Sequence, residues 1–309
     1  MNLEPLTPEQ LEEALRAYHE CGGNKAAAAR LLGMPVETYK CRYKKALKRV
    51  RAIPREIPET DGPKKHCVIP DVQAKPGVPL DHLRWAGNYI AEKRPDVIIC
   101  IGDFADMESL SSYDVGKKSA ENKRYKKDIE AAHRAMELLM TPIVSEPGYN
   151  PRLVMTLGNH EDRITRYADA NPAMDEKVSL KDLGYEAWGW EVYPFLEPVR
   201  ISGISYCHYF YNPNTGKPYA GANLETRLKT IGMSFTMGHQ QGLQVAIRDL
   251  ADGSRQRGLV AGSFYQHHES YKGPQGNGHW QGIIFKHEVE AGNYDLMELS
   301  LKYLKRRYS

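Results

Sequence analysis

The chain has 309 residues, is 41% hydrophobic and carries a net charge of +3, enough to bury a sizeable core and to hold a second, smaller unit beside it. No apolar stretch approaches the roughly 20 residues that cross a bilayer, and Met1-Asn2-Leu3-Glu4-Pro5 lacks a basic segment followed by an apolar one, so no membrane partner and no secretion are expected. The five cysteines (Cys21, Cys41, Cys67, Cys100, Cys207) form no CxxC pair, which fits reduced thiols in a cytoplasmic protein.

The charge is unevenly placed. Residues 1–55 hold eleven Lys or Arg against six Asp or Glu, a local balance of +5, which leaves −2 for the rest. A polyanion such as DNA is the natural partner of the N-terminal end. There the pattern predicts an amphipathic helix over 8–20, with Thr7 as N-cap, Pro8 at the first helical position and Gly22-Gly23 as the stop. An alanine-rich second helix over 24–32 is capped by Asn24 and ended by Gly33, and a third runs over about 36–50. Three short helices with a glycine turn between the second and third make a helix-turn-helix candidate. The run Gly23-Asn24-Lys25-Ala26-Ala27-Ala28-Ala29-Arg30-Leu31-Leu32-Gly33-Met34, followed by Thr38-Tyr39, resembles the Fis-type helix-turn-helix. That resemblance implies that the third helix enters the major groove, with Thr38, Lys40, Arg42, Lys44 and Lys45 as candidate DNA contacts. Such long cationic side chains suit phosphates better than a base code. Helix-turn-helix proteins often act as dimers, so a homodimer is one expected assembly. A basic module that contacts protein or RNA is the plainer alternative.

Residues 53–65 contain Pro54, Pro58 and Pro63 without hydrophobic periodicity and are expected as a linker between a 1–52 unit and a 66–309 unit. From His66 onward the order is strand (67–70), helix (about 80–93), strand (97–101), helix (about 122–139) and strand (153–157). This alternation predicts a mostly parallel sheet flanked by helices. Beyond Val199 short strands with glycine turns follow, over 204–207, 234–237, 259–262, 282–288 and 294–301. The fold class expected is α/β, a two-sheet sandwich flanked by helices and preceded by a small all-α unit.

The strand ends carry the chemistry. Pro70-Asp71-Val72-Gln73 follows the first, Gly102-Asp103-Phe104-Ala105-Asp106 the second, Gly158-Asn159-His160-Glu161 the third, and Gly238-His239-Gln240-Gln241 the strand at 234–237. Loops at the carboxyl ends of sheet strands share one edge, where open α/β sheets bind ligands. In this order, D-x-[H/Q], GDxxD, GNHE and GHx[H/Q] resemble the calcineurin-like metallophosphoesterases, over roughly residues 66–300. Each motif alone is weak, and the combination is specific.

The resemblance implies two divalent metal ions bridged by Asp103, with Asn159, His208 and His239 completing the second. The first would take Asp71 and Asp103 plus, in most family members, two histidines. This chain has Gln73 and Gln241 there. A glutamine offers a neutral, hard amide oxygen in place of an imidazole nitrogen, so Mn2+ is the expected ion, with Mg2+ next and Zn2+ less suited to the glutamine site. The ions would activate water, hold phosphate oxygens and offset charge in an in-line displacement. His160 is then the expected general acid and Asp106 its orienting partner, while Glu161 is expected to hold the loop through hydrogen bonds.

Arg163 and Arg166, just after the GNHE turn, are candidate phosphate contacts. The segment 263–271 is rich in aromatic and imidazole groups that could stack on bases, with His268 as the candidate substrate contact; a solvated loop with packing aromatics fits it equally. His66, His82, His133 and His287 fall on predicted helices or strands, and the basic run Lys117, Lys118, Lys123, Arg124, Lys126 and Lys127 is read as a solvated helix face. Together these features point to a metal-dependent phosphodiesterase acting on DNA, a nuclease suited to a bacterial or phage genome. A phosphomonoesterase localised by the N-terminal unit and a non-catalytic DNA-binding regulator are the alternatives.

Overall fold

The computed structural model describes residues 6–21, 25–50, 55–56, 62–113, 116–174, 177–219, 223–269 and 273–309. The expected cap Asn24 and stop Gly22-Gly23 lie outside the described residues. Three helices open the chain: α1 (Pro8–Glu20), α2 (Lys25–Leu31) and α3 (Val36–Val50). Thr7 Oγ1 accepts the Gln10 amide at 3.3 Å while Gln10 Oε1 accepts the Thr7 amide at 3.0 Å, a reciprocal cap that satisfies two orphan donors of α1. Ala14, Ala17, Ala28 and Ala29 are small enough to let the helices close on Tyr39. The Tyr39 hydroxyl is satisfied by the Ala14 carbonyl at 2.7 Å.

The strands and remaining helices follow in chain order: β1 (Arg55–Glu56), β2 (Lys64–Ile69), α4 (Asp81–Lys93), β3 (Val97–Cys100), α5 (Tyr125–Ser145), β4 (Arg152–Thr156), α6 (Asp162–Ala170), β5 (Glu191–Tyr193), β6 (Val199–Ile201) and β7 (Ile204–Tyr206). Next come β8 (Tyr211–Asn212), β9 (Lys217–Pro218), α7 (Leu224–Ile231), β10 (Phe235–Met237), β11 (Leu243–Asp249), β12 (Arg255–Ala261), α8 (Gly273–Gly276), β13 (Gly282–Glu290), β14 (Asn293–Ser300) and α9 (Leu301–Tyr308). Among the described residues the strands form two six-stranded sheets, ordered β14-β13-β2-β3-β4-β5 and β1-β6-β7-β10-β12-β11, and a separate β8-β9 pair. Strands β2, β3, β4 and β5 run parallel, as do β7, β10 and β12. Arg55 and Glu56, inside the stretch read as a linker, pair in parallel with Val199 and Arg200 of β6.

The architecture is the α/β sandwich the sequence implies. Successive side chains of a strand point to opposite faces, and here both faces are covered. Val68, Ile99 and Val154 meet Ile204, Tyr206 and Leu259 of the other sheet. Cys67, Ile69, Ile98, Cys100, Leu153 and Met155 pack instead into the helical layer of α4 and α5. Burial on both sides is why these strands read as unbroken apolar runs. On the far side, α7 covers the second sheet through Leu224, Leu228, Phe235 and Val260.

Helix α5 extends to Ser145, past the expected end near Leu139. Pro142 sits close to its C-terminus, where a missing N–H costs a single bond. At the chain end, Ser300 Oγ accepts the Tyr303 amide at 3.2 Å and starts α9, so the last strand stops at Ser300. Between the sheets Lys286 is fully buried and donates to the hydroxyls of Tyr206 and Thr236, while His66 Nδ1 lies 2.7 Å from the Tyr206 hydroxyl. Among the described residues, no helix is long and apolar enough to cross a membrane.

Candidate metal centre and active site

All seven candidate ligands sit just beyond strand carboxyl ends: Asp71 and Gln73 after β2, Asp103 after β3, Asn159 after β4, His208 after β7, and His239 and Gln241 after β10. Parallel strands in each sheet bring these loops to one edge. The backbone there is unusual. Gln73, Asp103, His239 and Gln241 all have left-handed φ, at 47°, 51°, 67° and 44°. Such conformations cost on the order of 1–3 kcal/mol each, and they persist where surrounding structure holds side chains to a task.

Two glycines let the loops close on the carboxylates. A Cβ at Gly158 would overlap Asp103 Oδ1 and its amide, and one at Gly238 would fall 2.5 Å from Asp71 Oδ1. Glu161 fastens the arrangement from below. Its carboxylate accepts the amides of Asp103 at 3.0 Å, Gly158 at 2.9 Å and Ala105 at 2.9 Å.

One half of the centre is built on imidazoles. His208 Nδ1 donates to the Ile101 carbonyl at 2.9 Å, which turns Nε2 toward Asp103 Oδ2 at 3.3 Å. Asn159 Oδ1 lies 3.0 Å from His208 Nε2 and 2.9 Å from His239 Nδ1. One ligand atom each of Asp103, His208 and His239 can be chosen so that all fall within 4.8 Å of one another, a spacing compatible with one ion. Burial works against charge on His208, yet the Asp103 carboxylate holds its pKa up at about 9. Burial also opposes charge on Asp103, but His160 and His208 keep its carboxyl well below the usual range.

The other half is built on oxygens. Asp71 Oδ1 accepts the His239 amide at 3.1 Å, whereas Asp71 Oδ2 and Gln73 Oε1 are buried without a hydrogen-bond partner. Buried oxygens left in that state cost free energy unless something positive meets them. Burial raises the Asp71 pKa to about 7, with the charge of Asp103 adding to the rise. Gln241 Oε1 accepts the Tyr265 hydroxyl at 2.7 Å, which orients that amide. Two unpartnered oxygens beside a shared carboxylate fit a hard divalent cation, and the residues present therefore fit the metal pair.

His160 Nδ1 lies 2.8 Å from Asp106 Oδ1, and its Nε2 lies 3.7 Å from Asp103 Oδ2. Burial disfavours the imidazolium, but Asp103 and Asp106 outweigh it and raise the His160 pKa. Arg163 is committed to this pair: Nη1 donates to the Asp106 carbonyl at 2.8 Å and to its carboxylate at 3.2 Å, while Nη2 lies 3.2 Å from His160 Nε2. Arg166 donates to the Asn159 carbonyl at 2.9 Å and pairs with Asp162. A cavity of about 380 Å3 opens over the centre, lined by Gln73, Asp103, Asn159, His160, His239, Gln240, Gln241, Gly242, Gly276 and His279.

Of the sequence-selected residues, the seven candidate ligands, His160 and Asp106 come together at this edge. Arg163 touches the His160–Asp106 pair, and Arg166 reaches the loop from α6. His268 is exposed and outside the cavity lining. On α3, Thr38, Lys40, Lys44 and Lys45 are exposed, with Lys40 paired to Glu37 and Arg42 to Glu13. Sequence reasoning missed Lys75, whose Nζ lies 3.2 Å from Asp106 Oδ2, and the bond from Tyr265 to Gln241. The aromatic and imidazole density of 263–279 was the signal for Tyr265 and His279; Lys75 had none.

A family model described as calcineurin-like phosphoesterase matches residues 67–280. No curated protein is significantly similar to the chain. One solved crystal structure aligns over 77% of this chain and 100% of its own at 14% identity, with a TM-score of 0.37.

Proposed function

Because this chain belongs to the calcineurin-like phosphoesterase family, and so to the metal-dependent phosphoester hydrolases, we propose that it is a phosphodiesterase that cleaves DNA. One observation carries the diester reading: among the described residues no Lys or Arg lines the cavity, because Arg163 and Arg166 are spent on Asp106, His160, Asn159 and Asp162. A monoester carries about −1.5 to −2 at neutral pH, whereas a diester has a single ionisable oxygen and carries about −1. Beyond the two proposed ions, the described lining adds no side-chain cation to meet the extra charge of a monoester, which supports the diester. The basic N-terminal helices, with Lys44 and Lys45 exposed on α3, supply the DNA side of the proposal and would raise the effective concentration of duplex at the site.

Asp71, Gln73, Asp103 and Gln241 would hold one divalent ion and Asp103, Asn159, His208 and His239 the other, which together supply Lewis-acid activation of water and of the phosphoryl oxygens. The oxygen-only donor set of the first half favours Mn2+ or Mg2+. His160 is the proposed proton donor to the leaving oxygen, protonated at Nε2 when substrate displaces Arg163 Nη2 from that nitrogen, and Asp106 fixes the ring by accepting from Nδ1. Arg163 restrains the same Asp106 oxygen through Nη1.

The test compares bis-p-nitrophenyl phosphate, p-nitrophenyl phosphate, and single-stranded and duplex DNA with Mn2+ present. Diester and DNA cleavage with weak monoester turnover is expected. Efficient monoester turnover without diester cleavage overturns the proposal, and diester cleavage that spares every DNA overturns its DNA half.

A further inference from the structure

A chain of polar side chains leads away from His160 to a loop that supplies none of the candidate ligands. Asp106 Oδ1 is shared by His160 and Arg163, and the other oxygen, Asp106 Oδ2, meets Lys75 Nζ at 3.2 Å. The same ammonium donates to Glu269 Oε1 at 2.7 Å, and His267 Nε2 lies 2.7 Å from that oxygen. Asn277 clasps Glu269 through the main chain, accepting its amide at 2.8 Å and donating to its carbonyl at 3.0 Å. The side chains of Lys75, Asp106 and Glu269 are only 13%, 9% and 7% exposed.

An ammonium buried between two carboxylates is a poor device for stability, since desolvation offsets most of the attraction. Its geometric effect is large. With Oδ1 held by His160 and Arg163 and Oδ2 held by Lys75, the Asp106 carboxylate cannot rotate, and the plane of the His160 ring is fixed with it. Partners that orient metal ligands typically cost 10–100-fold when removed, and an effect of the same order is expected for partners that orient the acid.

We propose that Lys75 and Glu269 are a positioning pair for His160, acting through Asp106 and tethering the acid to the loop that follows β12. The inference rests on the reading of His160 as general acid. Neither residue touches substrate.

The experiment measures kcat and KM with saturating Mn2+ on two diesters: a nucleoside p-nitrophenyl phosphate, whose leaving group needs no proton, and a dinucleotide, whose alkoxide leaving group does. Lys75→Met should lower kcat on the dinucleotide by about 10–100-fold and on the nitrophenyl ester by less than about threefold, with KM nearly unchanged on both. Glu269→Gln should show the same leaving-group split in a side chain of equal volume, and Lys75→Arg should restore most of the dinucleotide rate. Equal slowing of both substrates by Lys75→Met and Glu269→Gln, or a rise in KM alone, overturns the positioning role. His160→Asn is the reference: if it slows both substrates equally, the acid reading falls and this proposal with it. If His160→Asn shows the split while the Lys75 and Glu269 variants do not, only the positioning pair falls.

Discussion

The two halves of the metal centre share Asp103 and one edge of one fold, yet they are made of different chemistry. Around Asn159, His208 and His239 each donor has a neighbour, and His208 is locked by the Ile101 carbonyl. Around Asp71, Gln73 and Gln241 the donors are oxygens, two of them buried and unpartnered. The difference is that the His208 imidazole brings its own second hydrogen-bonding site, which the protein uses to aim the first, whereas the amides of Gln73 and Gln241 are aimed by a left-handed backbone or by a hydroxyl such as that of Tyr265. His208 is thus fixed from outside by a hydrogen bond, whereas His239, Gln73 and Gln241 are carried by left-handed main chain.

Removing the shared carboxylate breaks the comparison outright. Asp103→Asn should empty both halves and lower kcat by on the order of 10³-fold or more, read by metal content and DNA cleavage together. Separate removal sharpens it: His208→Ala should weaken metal binding by about 100-fold and Gln241→Ala by about 10-fold, read by calorimetry with Mn2+. Equal losses would erase the distinction between the halves.

Both halves ride on the same sandwich, so its response to acid must be known before metal effects are read. Burial, with Lys286 and Arg152 adding, lowers the His66 pKa to about 3, and burial lowers that of His82 to about 3. Each is neutral in the fold and takes a proton on unfolding, so stability is full above about 6.5 and falls as the pH drops toward 3. The slope is about 1.4 kcal/mol per pH unit for each histidine. Thermal melts between pH 7 and 4 should show this slope, and His66→Gln should flatten part of it. The smallest expected effect is the most specific. Gln73→His with Gln241→His should shift preference from Mn2+ toward Zn2+ by roughly tenfold, measured by competitive loading; an unchanged ratio would show that the glutamines do not tune the site.

The first β-α-β-α-β stretch was legible because strands buried on both faces read as apolar runs bounded by glycine and proline. The strand β11 was not legible for the opposite reason: at the sheet edge it leaves Val245 and Ile247 exposed and alternates with Gln244, Arg248 and Asp249, so no apolar run marks it. Helices α6 and α7 are short and rich in charge, with few buried residues each. At the centre, residues within strand-end motifs could be read from order alone. Lys75 could not, since its partners Asp106 and Glu269 lie 31 and 194 positions away along the chain and meet it only after folding.

Glu161 gives the site a mechanical character. One buried carboxylate holds amides from the loop after β3 and from the loop after β4, so Asp103 and the proposed acid His160 belong to a single rigid piece. The reorganisation that a reaction in water would demand at each turnover has here been completed once, during folding. Glu161 takes no part in bond breaking, yet it acts as the clasp that turns two loops into one instrument.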